Sequence, residues 1–196
     1  MTLFESGDGN TPLSPDEEDV LIPNLATRDE LNEWERLNIL GAYSWAFSAR
    51  GIGRRDPLAE SYVRDLHRRM FDQTWKWAGR YRATEKNLGI APHRIREALA
   101  ALLGDVRYWL EHETFGTYEI AIRFYHRLVV IHPFSNGNGR HARLMADVLA
   151  RRQGLAQFTW GRSEIARAGD LRRAYIDALQ AADRSDIQPL LTFARS

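Results

Sequence analysis

From Thr27 onward, apolar residues return every three to five positions: Leu31, Trp34, Leu37, Ala42 and Trp45, with charges between them. That period predicts an amphipathic helix, and Thr27 is of the type that caps one. The stretch SARGIGRRDP breaks the pattern. Asp56-Pro57 then reads as a cap with a first-turn proline, ahead of a helix carrying Leu58, Tyr62, Leu66 and Met70. Helical spacing resumes at Ile95, Leu99, Leu102, Val106 and Trp109, and again at Ile120, Phe124, Leu128 and Ile131. Leu144, Val148 and Leu149 predict a further helix that Gly154 can close. LAQFTW reads as short and extended. Ser163 is a candidate cap for a helix with Ile165, Leu171, Tyr175 and Leu179, and Ser185 for a last short one with Leu190 and Leu191.

One stretch has no helical stripe. TWKWAGRYRATEKNLGIAPHRI carries Trp75, Trp77, Tyr81 and glycines at 79 and 89, and it is polar where a core strand would be apolar. An irregular or hairpin segment, forming an exposed flap, fits it best. Together these elements predict a mostly α fold with a short β-hairpin flap. Residues 1–26, rich in Gly, Pro, Asp and Glu, read as an arm with a possible capped turn at Ser14. Residues 27–196 read as one domain, with the flap near 79–91 and a distinctive loop at 132–143.

Composition narrows the function. The chain of 196 residues has 27 basic and 26 acidic side chains, a net charge of +1, which gives no bulk attraction to nucleic acid or anionic membrane. No helix shows a clustered basic face, so a DNA-binding role is disfavoured. There is no cysteine, which removes disulfides, thiolate nucleophiles and Cys-based metal sites. The N-terminal MTLFESGDGNTPL lacks the basic and apolar regions of a signal peptide, and no apolar run is long enough to span a bilayer. A cytoplasmic location is expected. Lys76 and Lys86 are the only lysines; every other basic residue is arginine, the better fork for phosphate.

The chemistry concentrates in HPFSNGNGRHAR, His132 to Arg143. One predicted helix ends near Ile131 and the next begins near Asn138. SNGNG between them tolerates positive φ and close backbone approach. The unpartnered N–H groups of the new helix point into the turn and favour an anion. Arg140 and Arg143, three apart, share one helix face near that end. N–H groups, a helix dipole and two guanidinium forks make a phosphate cradle. His132 on the opposite rim titrates near neutrality and can take a proton from a hydroxyl. Phe134 can pin the loop to the core, and Asn136 and Asn138 offer amide oxygens for a metal or donors for phosphate. Taken singly, each feature is ordinary: Gly-Asn-Gly is commonly a turn, and arginines at helical spacing commonly form a solvated face. Their conjunction within twelve residues carries the reading. A zinc site from His126, His132 and His141 is disfavoured by their spacing. His67, His93 and His112 have no evident partner.

This loop resembles the signature of the Fic (Fido) family, His-x-Phe-x-(Asp/Glu)-Gly-Asn-Gly-(Arg/Lys)-x-x-Arg, and matches seven of its eight specified positions. RYRATEKNLGI is similar to the family's flap, and GNTPLSPDEEDVLIP with LNEWERLNI resembles the subgroup called mobile mystery protein B. The resemblance implies a Fic-type helical domain that transfers AMP from ATP, with Mg²⁺, to a Ser, Thr or Tyr hydroxyl of a target protein lying along the flap. It implies that His132 is the general base and that Arg140 acts in catalysis. Gly137, Asn138, Gly139, Arg140 and Arg143 would bind the nucleotide, with Lys86 and Asn87 near nucleotide or target. Two departures matter. Asn136 stands where the family has an acid, and a neutral amide is a weaker ligand for Mg²⁺ than a carboxylate. The family's inhibitory (Ser/Thr)-x-x-x-Glu-(Gly/Asn) segment is only loosely approximated by Thr27 to Asn32, so Glu30 or Glu33 is a candidate to approach Arg143, and control by a separate antitoxin-like partner is the alternative. Two further readings stay open: a nucleotide-binding regulator weakened at Asn136, and a Fic enzyme using another nucleotide or phosphate donor.

Overall fold

The computed structural model describes residues 21–23, 27–48, 52, 54–161 and 168–196. The expected features at Ser14 and Ser163 lie outside these residues, as does nearly all of the arm. Among the described residues, seven α-helices follow in order: α1 (Arg28–Ala46), α2 (Glu60–Phe71), α3 (Ile95–Glu111), α4 (Thr117–Ile131), α5 (Asn138–Arg152), α6 (Ala168–Asp183) and α7 (Gln188–Arg195). A short 3₁₀ turn at Pro92–Arg94 leads into α3. Helix α4 packs between α3 and α5, α1 packs on α2, and α6 packs on α7, which also reaches α4. No helix among the described residues is long and apolar enough to cross a membrane.

Local chemistry sets the helix ends. The Thr27 side chain accepts from the Glu30 amide at 3.2 Å, and the Glu30 carboxylate accepts from the Thr27 amide at 3.0 Å, a reciprocal capping box that starts α1. Asp56 starts a turn and not the helix: its carboxylate accepts from the Leu58 amide at 2.9 Å, and α2 begins only at Glu60. Helix α4 ends at Ile131 because His132 adopts φ 51°, and α5 starts after Gly137 at φ 74°. Gly137 is required there twice over. Beyond its positive φ, a Cβ on it would lie 2.4 Å from the Phe71 ring.

The stripe expected on α1 is only in part its buried face. Trp34 is 42% and Leu37 52% exposed, whereas Leu31, Glu35, Ala42 and Ala46 are buried. The indole of Trp34 lies on the surface and donates to the Gln73 carbonyl at 2.9 Å. The main core is built from Val63, Leu66, Met70 and Phe71 of α2, Leu99, Leu102 and Val106 of α3, Phe124, Tyr125 and Leu128 of α4, and Met145 and Leu149 of α5.

The flap is not a β-hairpin. Beyond one bridge between Leu21 and Trp75, no strand pairing occurs among the described residues. The physical reason is Arg82. Its backbone N–H donates to the Pro133 carbonyl at 3.0 Å, away from the opposite arm. Its guanidinium, 3% exposed as a residue, sits inside the flap and donates to the carbonyls of Thr84, at 2.9 Å, and Ile90. A side chain thus takes the acceptors that cross-flap pairing would use.

His67 of α2 is fully buried and joins the flap to the loop. Its Nδ1 accepts from the Gly79 amide at 3.0 Å, so its Nε2 carries the proton and donates to the Asn136 carbonyl at 3.1 Å. The ring stacks on Phe134 with centroids 3.6 Å apart. His141 of α5 donates from Nε2 to the Val63 carbonyl at 2.9 Å and meets Phe134 edge-on. Burial, first of all, holds both imidazoles below their ordinary value, His141 at about 4.

The unfolded chain therefore gains a proton on His141 below about pH 6.5 while the folded chain does not until about pH 4, so stability is lost as pH falls through that window, and the lowered His67 adds a loss of the same sign. His141 alone accounts for roughly 2 kcal/mol of lost stability by pH 5. Urea unfolding at pH 7 and pH 5 measures this. Equal stability at the two values would contradict it, and His141→Gln is expected to reduce the difference.

Candidate active site

The loop between α4 and α5 is held from within. Asn138 accepts the Phe134 amide on Oδ1 at 2.9 Å and donates from Nδ2 to the Phe134 carbonyl at 2.8 Å. Its side chain is buried and clamps the loop, so only its backbone N–H faces a ligand at the α5 N-terminus. Phe134 lies at zero exposure between His67 and His141, the pinning position expected of it. Gly137, Asn138 and Gly139 open α5, whose first N–H groups lack helical partners.

His132 is 6% exposed. Its Nδ1 lies 3.3 Å from the Val129 carbonyl, an acceptor only, so Nδ1 carries the proton and Nε2 the lone pair. Burial depresses its pKa to about 4; the hydrogen bond to Val129 opposes this, and the positive charges of Arg82 and Lys86 add to it. The ring is thus neutral at pH 7 and basic at Nε2. The Arg82 guanidinium donates from Nε to the His132 carbonyl at 2.7 Å. Gly89 of the flap presses on the same residue, since a Cβ there would lie 2.5 Å from the His132 Cβ. Lys86 is close enough to act on the His132 charge. Asn87 is exposed at the flap surface.

The two motif arginines meet different environments. Arg140 donates from Nη1 to the Glu35 carboxylate at 2.6 Å and lies 5.0 Å over the Phe71 ring. Glu35, on α1, also accepts from the Trp75 indole at 2.8 Å and has a side chain only 8% exposed. Arg143 lies 4.9 Å over Tyr175 and 5.5 Å over Trp160, with its Nε buried and unpartnered. Glu30 is held in the capping box, and Glu33 pairs with Arg36 at 2.7 Å. The carboxylate brought to the motif is Glu35, and it meets Arg140. Glu35, Arg82 and His67 were missed from sequence. Glu35 carried one faint signal, a carboxylate on the face that repeats with Leu31 and Ala42.

The donors present do not build a magnesium cage. Asn136 Oδ1 turns back to accept from the Gly137 amide at 2.5 Å, and no cluster of three or more His, Asp or Glu ligands occurs among the described residues.

The Fic/DOC family model matches residues 57–150. A protein adenylyltransferase Fic from Nematostella vectensis is 32% identical over 146 residues, covering 72% of this chain and 33% of the relative. A uridine 5'-monophosphate transferase from Xanthomonas campestris is 36% identical over 72 residues, 33% of this chain and 13% of that protein. The solved structure of Fic-1 from C. elegans superposes with a TM-score of 0.66 at 23% identity, over 91% of this chain and 51% of that one. The chain thus spans about a third of the length of the first curated relative it matches. The motif loop, the helices that frame it and these matches agree, and residues 57–150 form a Fic/DOC family domain.

Proposed function

We propose that this chain transfers AMP from ATP to a Ser, Thr or Tyr hydroxyl of a protein target. The observation that carries the reading is His132, a buried neutral imidazole with its lone pair on Nε2, on the rim of a turn that ends in the N-terminus of α5. In the step, the target hydroxyl oxygen bonds to the α-phosphorus of ATP. The bond from that phosphorus to the bridging oxygen breaks, pyrophosphate leaves, and the hydroxyl proton passes to His132 Nε2. The N–H groups of Asn138 and Gly139, with Arg140 and Arg143, offset the negative charge of the phosphates. The proposal includes a target docked along the flap near Lys86 and Asn87, control by a separate antitoxin-like inhibitor, and a cytoplasmic setting. ATP is the donor. Mg²⁺ would come with it, on the phosphates, since the loop supplies no carboxylate.

A second reading, a nucleotide-binding regulator with weak turnover, is favoured by Asn136 turned onto Gly137 and by Arg140 held on Glu35. Incubation with α-labelled ATP and Mg²⁺ in lysate separates the two. Wild type is expected to label protein, His132→Ala to abolish the label, and Asn136→Asp to increase it. Label from Asn136→Asp alone establishes the regulator, and label from UTP but not ATP would change the donor.

The base at about 4 sets the acid limb of kcat/KM well below the ordinary imidazole value of 6.5. A pH profile that falls with a midpoint near 6.5 would contradict the buried state of His132.

Removing the charge of Glu35 should free Arg140 for phosphate. Glu35→Gln keeps an oxygen for Trp75. It is expected to tighten a nonhydrolysable ATP analogue about fivefold, in keeping with about 1 kcal/mol for a pair half open to solvent. Calorimetric titration measures this, and unchanged or weaker binding would show that Glu35 does not compete with phosphate.

A further inference from the structure

On the flap side, at residues 80–82, lies an open depression of about 480 Å³. Arg64, Arg80, Arg82, Arg96, His93 and Tyr81 line it, and no acidic side chain does. A chain with 27 basic and 26 acidic residues does not produce such a concentration by composition.

Two of these guanidinium groups are already oriented. Arg64 donates from Nε to the Gly79 carbonyl at 3.0 Å and lies 5.5 Å from the Tyr81 ring. Arg96 lies 5.6 Å from the same ring. Tyr81 is itself fixed, its hydroxyl donating to Glu60 at 3.0 Å. Glu60 is the acid at the edge, 3.9 Å from Arg96, and it already accepts the tyrosine hydroxyl. A neighbouring depression shares Arg64 and Arg80 and adds Arg68, whose charge Asp65 matches at 3.0 Å. Arg82 turns its guanidinium to backbone carbonyls but adds its charge. Arg82 also ties this pocket to the site, since it bonds the His132 carbonyl at 2.7 Å. A segment bound here would lie next to the flap.

We propose that this pocket receives carboxylate side chains of the protein target, so that the modified hydroxyl belongs to an acidic segment. The proposal rests on the reading that this chain modifies proteins, and it names the class of target. Guanidinium forks match carboxylates in geometry and charge. Stacked and hydrogen-bonded arginines have less freedom to lose on binding than free ones. Complementary charge also raises the rate of encounter and sets register along the flap.

The test uses the whole chain and a fluorescent glutamate-rich peptide with one tyrosine, beside versions with glutamine and with lysine for glutamate. At physiological salt, the glutamate peptide is expected to bind at least tenfold more tightly than the glutamine peptide, and the lysine peptide not at all. The double variant Arg80→Ala/Arg96→Ala should remove that preference, while Arg94→Ala, outside the pocket, should retain it. An unchanged melting temperature shows that the variants fold. Equal binding of glutamate and glutamine peptides, or a preference that survives the double variant, overturns the proposal. Displacement of the peptide by inorganic phosphate at equal concentration also overturns it, and assigns the pocket to phosphate. The same peptides are then offered with α-labelled ATP. Arginine-dependent binding without label leaves the pocket standing and sinks AMP transfer. Equal labelling of glutamate and glutamine peptides sinks the pocket and leaves AMP transfer standing.

Discussion

The site depends on one imidazole that must stay neutral. His67 accepts from Gly79 on one nitrogen and donates to Asn136 from the other, so a single ring carries both the foot of the flap and the middle of the motif loop. Protonation would put a second N–H against the Gly79 N–H, and one of the two contacts would be lost. Burial prevents this at pH 7 by penalising the charged form. The ring also stacks on Phe134, and Phe134 is gripped by Asn138 through its own backbone. Flap, loop and the start of α5 are therefore one mechanical unit, and His132 takes its position from that unit.

Much of the helical frame was legible because it rests on period and caps. The stripes at Ile95 to Val106 and at Ile120 to Ile131 are buried as the spacing predicts, and the Thr27 cap and the loop limits at Ile131 and Asn138 follow from residue type. What failed was decided by contacts far apart in sequence. Trp34 and Leu37 read as core, yet α2 approaches α1 on the face of Leu31, Glu35 and Ala42. The hairpin failed because a buried arginine took the acceptors that strands need, and no local rule predicts a guanidinium inside a flap.

The site was legible to a different degree. The signature singled out His132, Phe134 and the glycines, since their chemistry is written in the order of the residues. Asn138 reads as a polar group for a ligand, whereas its amide is fully engaged by Phe134. His67 and Glu35 were invisible because each acts through a partner more than 35 residues away, Asn136 for one and Trp75 for the other. A buried polar residue on an apolar helix face is the only trace such a contact leaves in a sequence.

The electrostatics of the site follow from how the arginines of its flap and loop are held. Arg82 is held by carbonyls, Arg143 by aromatic faces and Arg140 by a carboxylate. Only Arg140 faces a charge that a phosphate would have to replace. That exchange trades one anion for another on the same fork, at a cost of about 1 kcal/mol for a pair with one partner open to solvent. Each charge-assisted bond from the loop to phosphate is worth about as much or more. The loop can therefore keep its cation in place without ligand and still accept an anion. Asn136 fits this arrangement: a carboxylate there would be a second negative group beside the cradle, raising metal affinity but also repelling any phosphate that arrived without a metal ion.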